Sequence, residues 1–232
     1  MARNSQFSAI VSQLRAELRR STNVAVGVED IDSLKQTINR VYSTLYLEYD
    51  WPHLRRVFPR VGLQSGQRYY DFPSGLDLER VESAAVWYSN LPHKIERGID
   101  FKEYAGFNSY DGVTSEPALR WDVRFNGNAV QFEIWPVPSS NGQQIEFIGF
   151  QEAPRLVNDS DICLLDDNLI VLFAAAELAL SGKAPDADMK MKAAQAHFTR
   201  LKGRTKVGTQ SFKMGLGEVN PTSNGRATVR VR

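Results

Sequence analysis

The chain has 232 residues, 42% of them hydrophobic and 24% charged, so it can bury a sizeable core and is excluded from the disordered and fibrous classes. A formal net charge of +1 excludes a protein whose whole surface is a nucleic-acid footprint. The single cysteine, Cys163, excludes an internal disulfide framework and fits folding in a reducing cytoplasm.

The opening stretch, MARNSQFSAIVSQLRAELRR, lacks the continuous apolar region of a signal peptide, so no targeting segment is expected. Within it Phe7, Ile10, Val11, Leu14 and Leu18 recur at helical spacing, which predicts an amphipathic helix over residues 6–20. After a linker, STNVAVGVED, either Asp30 or Asp32 is placed to cap a second helix. Its face is marked by Ile31, Leu34, Ile38, Val41, Leu45 and Tyr49, and it stops near Asp50 because Pro52 disfavours helical dihedrals before it.

From about Arg55 the hydrophobic period changes from helical to alternating. Strands are expected over residues 68–72, 78–88 and 94–97, then over 119–125 and 129–135 around Asn126-Gly127, a dipeptide that favours a two-residue hairpin turn. Asn141-Gly142 repeats the signal before residues 144–151, so the last three strands are expected to form an antiparallel meander.

Helical spacing returns after Asp161. Residues 169–180 are apolar almost all round, predicting a helix buried on most sides and capped by Gly182. This run is interrupted by Glu177 and falls short of the roughly 20 residues that span a bilayer, so no membrane is expected as a partner. Asp186 is placed to cap a final helix with Met189, Ala193, His197 and Leu201 on one face, and the short SGKAP link makes these two helices an antiparallel hairpin. Helices at both ends of a chain pack together only if the β part is inserted between them. The expected fold is therefore α+β: a four-helix bundle formed by the N- and C-terminal segments, with an inserted antiparallel β-sandwich or barrel and an extended C-terminal arm. The corresponding ranges are 1–54, 55–158, 159–203 and 204–232.

The arm differs in charge from the body. From Gly203 onward Arg204, Lys206, Lys213, Arg226, Arg230 and Arg232 face Glu218 alone, a net of +5 that leaves about −4 for the rest. Its ending, ATVRVR, alternates Val with Arg as a strand added to another sheet's edge would, with Val229 and Val231 entering pockets while Arg226, Arg230 and Arg232 pair with carboxylates or stay wet. Phe212, Met214 and Leu216 alternate similarly and form a second anchor.

Signals for catalysis are sparse. His53, His93 and His197 fall in three different predicted elements, and none adjoins a motif; a hydrolase would need two or more of His53, His93, Asp166 and Asp167 to converge in a pocket. Cys163 has no CxxC partner and reads as a small buried hydrophobe. Asp159, Asp161, Asp166 and Asp167 lack the Gly and closing Glu of a calcium loop and read as helix caps, so no metal and no cofactor is expected. The Gly215 to Gly217 GLG triplet has no strand before it and carries no phosphate-loop signal. Arg55, Arg56 and Arg60 suit either a solvated rim or contact with a phosphate backbone. Trp51, Trp87, Trp121 and Trp135 raise the alternative of a module that reads carbohydrate or nucleic acid through the β domain, although Trp121 and Trp135 alternate with polar neighbours as core residues do.

Three stretches carry a family resemblance: YDWPHLRR closing the second helix, GQRYYDFPSGLDLERVESAAV, and the Ala-rich hairpin LFAAAELALSGKAPDADMKMKAAQAHFTRL. In them the chain resembles the head-to-tail adaptors of short-tailed bacteriophages, called tail tubular protein A or portal adaptor. The resemblance implies a non-enzymatic virion protein made in the host cytoplasm and placed at the head-tail junction. It also implies a self-assembled ring of twelve copies beneath the portal protein, extending the channel through which genomic DNA passes without sequence recognition. The same ring would offer a platform to the tail nozzle protein.

Overall fold

The computed structural model of the protein describes residues 3–19, 28–107 and 112–205. Five helices and eight strands follow in the order α1 (Phe7–Glu17), α2 (Val28–Glu48), β1 (Arg55–Val57), β2 (Val61–Gly62), β3 (Tyr69–Asp71), β4 (Leu76–Tyr88), β5 (Leu91–Arg97), α3 (Phe101–Gly106), β6 (Arg120–Phe125), β7 (Val130–Trp135), β8 (Gln144–Gln151), α4 (Asp167–Ser181) and α5 (Ala187–Thr205). Mixed α+β architecture, with helices at both ends of the chain and strands between, agrees with the sequence pattern. Among the described residues no helix is long and apolar enough to cross a membrane.

The four long helices share one hydrophobic core. Phe7, Ile10 and Leu14 of α1 meet Leu34, Ile38 and Leu45 of α2, Leu169 and Ala174 of α4, and Phe198 and Leu201 of α5. The start of the chain is stitched to the segment before α4: the Phe7 and Ser8 amides donate to the Asp161 and Asp159 carbonyls at 2.9 and 3.1 Å, and Cys163 N–H donates to the Ser5 carbonyl at 3.0 Å. These bonds satisfy donors that α1 cannot pair internally, since its N-cap Gln6 makes no side-chain cap. Two sequence expectations shift here. Helix α2 already includes Val28, so Asp30 and Asp32 fall within its span rather than at an N-cap position. On α5 the buried face is Ala187, Ala194, Phe198 and Leu201, while Met189 and Ala193 are exposed. Alanines on every side blur that helix's period, and Phe198 fixes its rotation by packing among Tyr49, Trp51 and Phe173.

All the strands belong to a single sheet in the order β1-β8-β4-β5-β6-β7-β3, with β2 also pairing β8. Phe147 of β8 and Phe132 of β7 stand at opposite parts of this path, yet their rings lie 5.2 Å apart. The sheet therefore curls over its own core as a half-barrel, burying Phe58, Val86, Trp121, Phe132, Ile134 and Phe147 inside. No ladder joins β3 to β1 or β2 among the described residues, so both edges stay open.

The strand pairing corrects two further expectations. The β5–β6 ladder is parallel, so the sheet is not antiparallel throughout. The meander fails at its third strand: β8 pairs with β1, β2 and β4 rather than β7. The Asn141-Gly142 turn does not close a hairpin, because the link from Pro136 to Gln143 crosses the end of the sheet, where buried Gln143 accepts from Ala118 N–H at 2.9 Å. Asn126-Gly127 does make a hairpin, through a longer turn than the two-residue type: Phe125 pairs with Val130, Gly127 has φ +95, and Asn126 Oδ1 accepts from the Asn128 and Ala129 amides.

Candidate interaction surfaces

The three arginines singled out in the sequence lie at the β1/β2 edge. Arg55 Nε is 2.6 Å from Glu82 Oε2, and Arg60 Nε is 2.8 Å from Glu146 Oε2 while its guanidinium stacks 3.7 Å over the Trp87 ring. Arg56 donates to Gln151 Oε1 at 2.9 Å and stacks over Phe58. Each head group has a partner but stays wet, and exposed pairs of this kind contribute about 0.2–1 kcal/mol, so an incoming phosphate competes with them at small cost. Phe212, Met214, Leu216, Arg226, Val229, Arg230, Val231 and Arg232 lie outside the described residues.

On the outer face of the sheet a charge is fully enclosed. Glu133, 0% exposed, sits on β7 opposite the Phe132 and Ile134 side and receives Arg68 Nε at 2.6 Å, Arg124 Nε at 2.7 Å and the Tyr104 hydroxyl at 2.9 Å. Arg124 also donates to the Ile99 carbonyl at 3.0 Å, and Tyr104 with Glu133 holds its guanidinium protonated well above the ordinary range despite the opposing desolvation. Helix α3 closes this site. It is started by a capping box between Asp100 and Glu103, and Trp135 Nε1 donates to its Glu103 carbonyl at 2.8 Å. Sequence reasoning missed both features. Asp-x-x-Glu at residues 100–103 announces the helix, and a Glu amid the apolar run of VQFEIW announces an ion-paired outer face.

Where α2 meets the sheet, Arg80 fastens the two parts. It donates to the Tyr46 carbonyl at 2.9 Å, pairs with Asp50, and lies over the Tyr46 and Phe150 rings. The Tyr46 hydroxyl donates to Asp77 and contacts the Gln151 carbonyl; burial and then the Asp77 bond push this phenol above its usual range. Beside this junction opens a groove of about 540 Å³ between α2 and the β3–β4 turn.

Of the residues that carry chemistry, His53 and His197 are brought to the segment that holds Asp166 and Asp167, and His93 is not. His53 Nε2 bonds the Leu164 carbonyl at 2.9 Å, and burial lowers its basicity; His93 lies on β5; His197 Nε2 is 3.0 Å from Asp166 Oδ1. Asp166 caps α4 by accepting from Leu169 N–H, Asp167 accepts from Ser5, Asp161 accepts from the Val157 and Asn158 amides, and Asp159 pairs with Lys35. Four carboxylates thus serve four separate contacts, and among the described residues no group of three His, Cys, Asp or Glu converges as a metal site. Cys163 is buried, and desolvation, with Asp167 and Asp166 nearby, pushes its thiol up to about 12. Trp121 and Trp135 are buried, as their alternation predicts, which removes Trp121 from any surface that reads a ligand.

A helical layer is thus fastened to a curled sheet through Arg80, Tyr46 and Asp77. The sequence matches the family described as SU10 adaptor protein over residues 6–226, and the chain belongs to that family. It is thus a phage adaptor, a structural protein of the head-tail junction whose family binds portal and tail proteins. The comparison with curated proteins returns no match.

Proposed function

We propose that the protein assembles as a ring beneath the portal, extends the DNA channel and supplies the platform for the tail nozzle. The observation that carries this reading is the family match across residues 6–226, which takes in the helices, the half-barrel and most of the basic segment that follows α5. In it the terminal segments 1–54 and 159–203 form a four-helix unit, residues 55–158 form the inserted sheet, and 204–232 act as an arm. The arm reaches the portal or a neighbouring subunit through Phe212, Met214 and Leu216 and through the Val/Arg alternation up to Arg232. A segment this poor in large apolar residues does not offset its own ordering entropy alone, so it folds against a partner. Arg55, Arg56 and Arg60 form a cationic rim whose weak pairs exchange for DNA phosphates during passage without reading sequence.

Deletion of residues 217–232 tests the reading. The body should stay folded while co-sedimentation with portal is lost; undiminished co-sedimentation would refute the assignment of the arm.

A further inference from the structure

The groove between α2 and the β3–β4 turn combines an apolar wall with an acidic lining that carries no compensating cation. Its walls include Phe72 and Leu76, and at its mouth Leu47 on α2 is 65% exposed although the same helix buries its other leucines, Leu34 and Leu45. It also carries Asp77, Glu79 and Glu152, with no lysine or arginine among its lining residues. Most acidic side chains near the sheet are ion-paired: Glu82 with Arg55, Glu146 with Arg60, Glu133 with Arg68 and Arg124. Among the described residues Glu79 and Glu152 make no such pair, and Asp77 is held by the Tyr46 hydroxyl and the Glu79 amide. The volume lies within the range of pockets that enclose a ligand, and the walls call for apolar side chains alternating with cations.

The chain carries such a segment and delivers it to this place. Helix α5 ends at Thr205, one turn beyond Lys202, whose Nζ lies 3.9 Å from Glu48 and over the Tyr49 ring. Glu48 follows Leu47, so the chain leaves α5 beside the end of α2 that borders the groove. Residues 206–232 span up to about 90 Å when extended, far more than is needed to round α2. We infer that in the free protein the groove holds the end of the same chain's C-terminal segment, with Val229 and Val231 against Leu47, Phe72 and Leu76 and with Arg230 and Arg232 at Glu79 and Glu152. Its function is to keep the basic arm parked on an acidic, apolar cleft until a partner takes it. This goes beyond the ring reading and does not depend on it, because it concerns the unassembled chain.

The test uses the full chain as an isolated protein and follows tryptic cleavage after Arg226 and Arg230 by mass spectrometry. The variant Glu79→Gln/Glu152→Gln alters two exposed side chains and leaves Asp77, the Tyr46 partner, in place; unchanged thermal unfolding confirms that it is folded. Loss of two exposed ion pairs should speed cleavage about fivefold, and about 0.5 M salt should bring the unaltered protein to the same rate. A second variant, Leu47→Ser, should speed cleavage while keeping its response to salt, whereas the Glu79→Gln/Glu152→Gln variant should lose most of that response. Equal cleavage rates in all three proteins would overturn the inference. Protection that grows with protein concentration would overturn it as well, since it would place the segment on a second copy. Neither result bears on portal binding, which is read separately by co-sedimentation.

Discussion

Replacing Glu133 by alanine leaves two guanidiniums and a phenol facing a space built for a carboxylate. Four contacts disappear together: Arg68 Nε at 2.6 Å and Nη2 at 2.5 Å, Arg124 Nε at 2.7 Å, and the Tyr104 hydroxyl at 2.9 Å. Removing one partner of a buried ion pair costs about 3–5 kcal/mol. Here the lower end applies, because the Arg68 and Arg124 side chains are 26% and 37% exposed and water can rehydrate them. For a chain of this length about 3 kcal/mol corresponds to a fall of about 6–12 °C in Tm. Glu133→Gln keeps an acceptor but sets an amide donor against a guanidinium, and should fall between the two. Calorimetry or circular dichroism melts of the three proteins at one pH and salt concentration provide the measurement. If Glu133→Ala melted within about 2 °C of the parent, the network would be incidental and the reasoning from enclosed charge would fail.

Three further outcomes are expected. Trp121→Ala, which empties a large site in the half-barrel core, should destabilise the protein by about 3–5 kcal/mol in urea unfolding, whereas Trp87→Ala should cost far less; the reverse order would put the sheet's ligand-reading face back in play. Gly149→Ala should cost about 1–3 kcal/mol, since an added Cβ would lie 3.0 Å from the Arg80 carbonyl and from Leu76 where β4 shifts register on β8, and an unchanged Tm would show that the bulge yields freely. Cys163 should resist thiol reagents at pH 8 until the chain is unfolded. Because burial raises its folded value from 9.0 to about 12, the unfolded chain ionises first, and the stability it contributes is intact below pH 9 and lost as pH rises towards 12. Stoichiometric labelling of the native protein would contradict this.

What the sequence discloses follows the strength of local signals. The apolar periods around Leu14, Ile38 and Ile170 are long enough to define helices, and their position at both ends of the chain already requires an inserted sheet. Strand order was beyond reach. The pairing of β8 with β4 joins residues such as Phe147 and Ala84 that are far apart in the chain, and a nearby Asn-Gly turn misleads because register and neighbour are chosen by burial. The face of α5 is ambiguous in sequence for a related reason: its alanines fit any rotation, and only the aromatic packing of Phe198 selects one. The groove at Leu47 is invisible in sequence because it arises where α2 and the β3–β4 turn meet, and its acidity comes from Glu79 on β4 and Glu152 just past the end of β8. Residues 204–232 are the opposite case, since their charge and their Val/Arg ending are plain in the sequence.

Electron microscopy of the purified protein mixed with the portal of the same phage tests the central claim most directly. The account predicts a ring of this protein stacked coaxially on the portal, with an open central channel and the β1/β2 arginines turned towards solvent or that channel. Portal particles that carry no added ring at saturating protein, by an otherwise folded preparation, would contradict it.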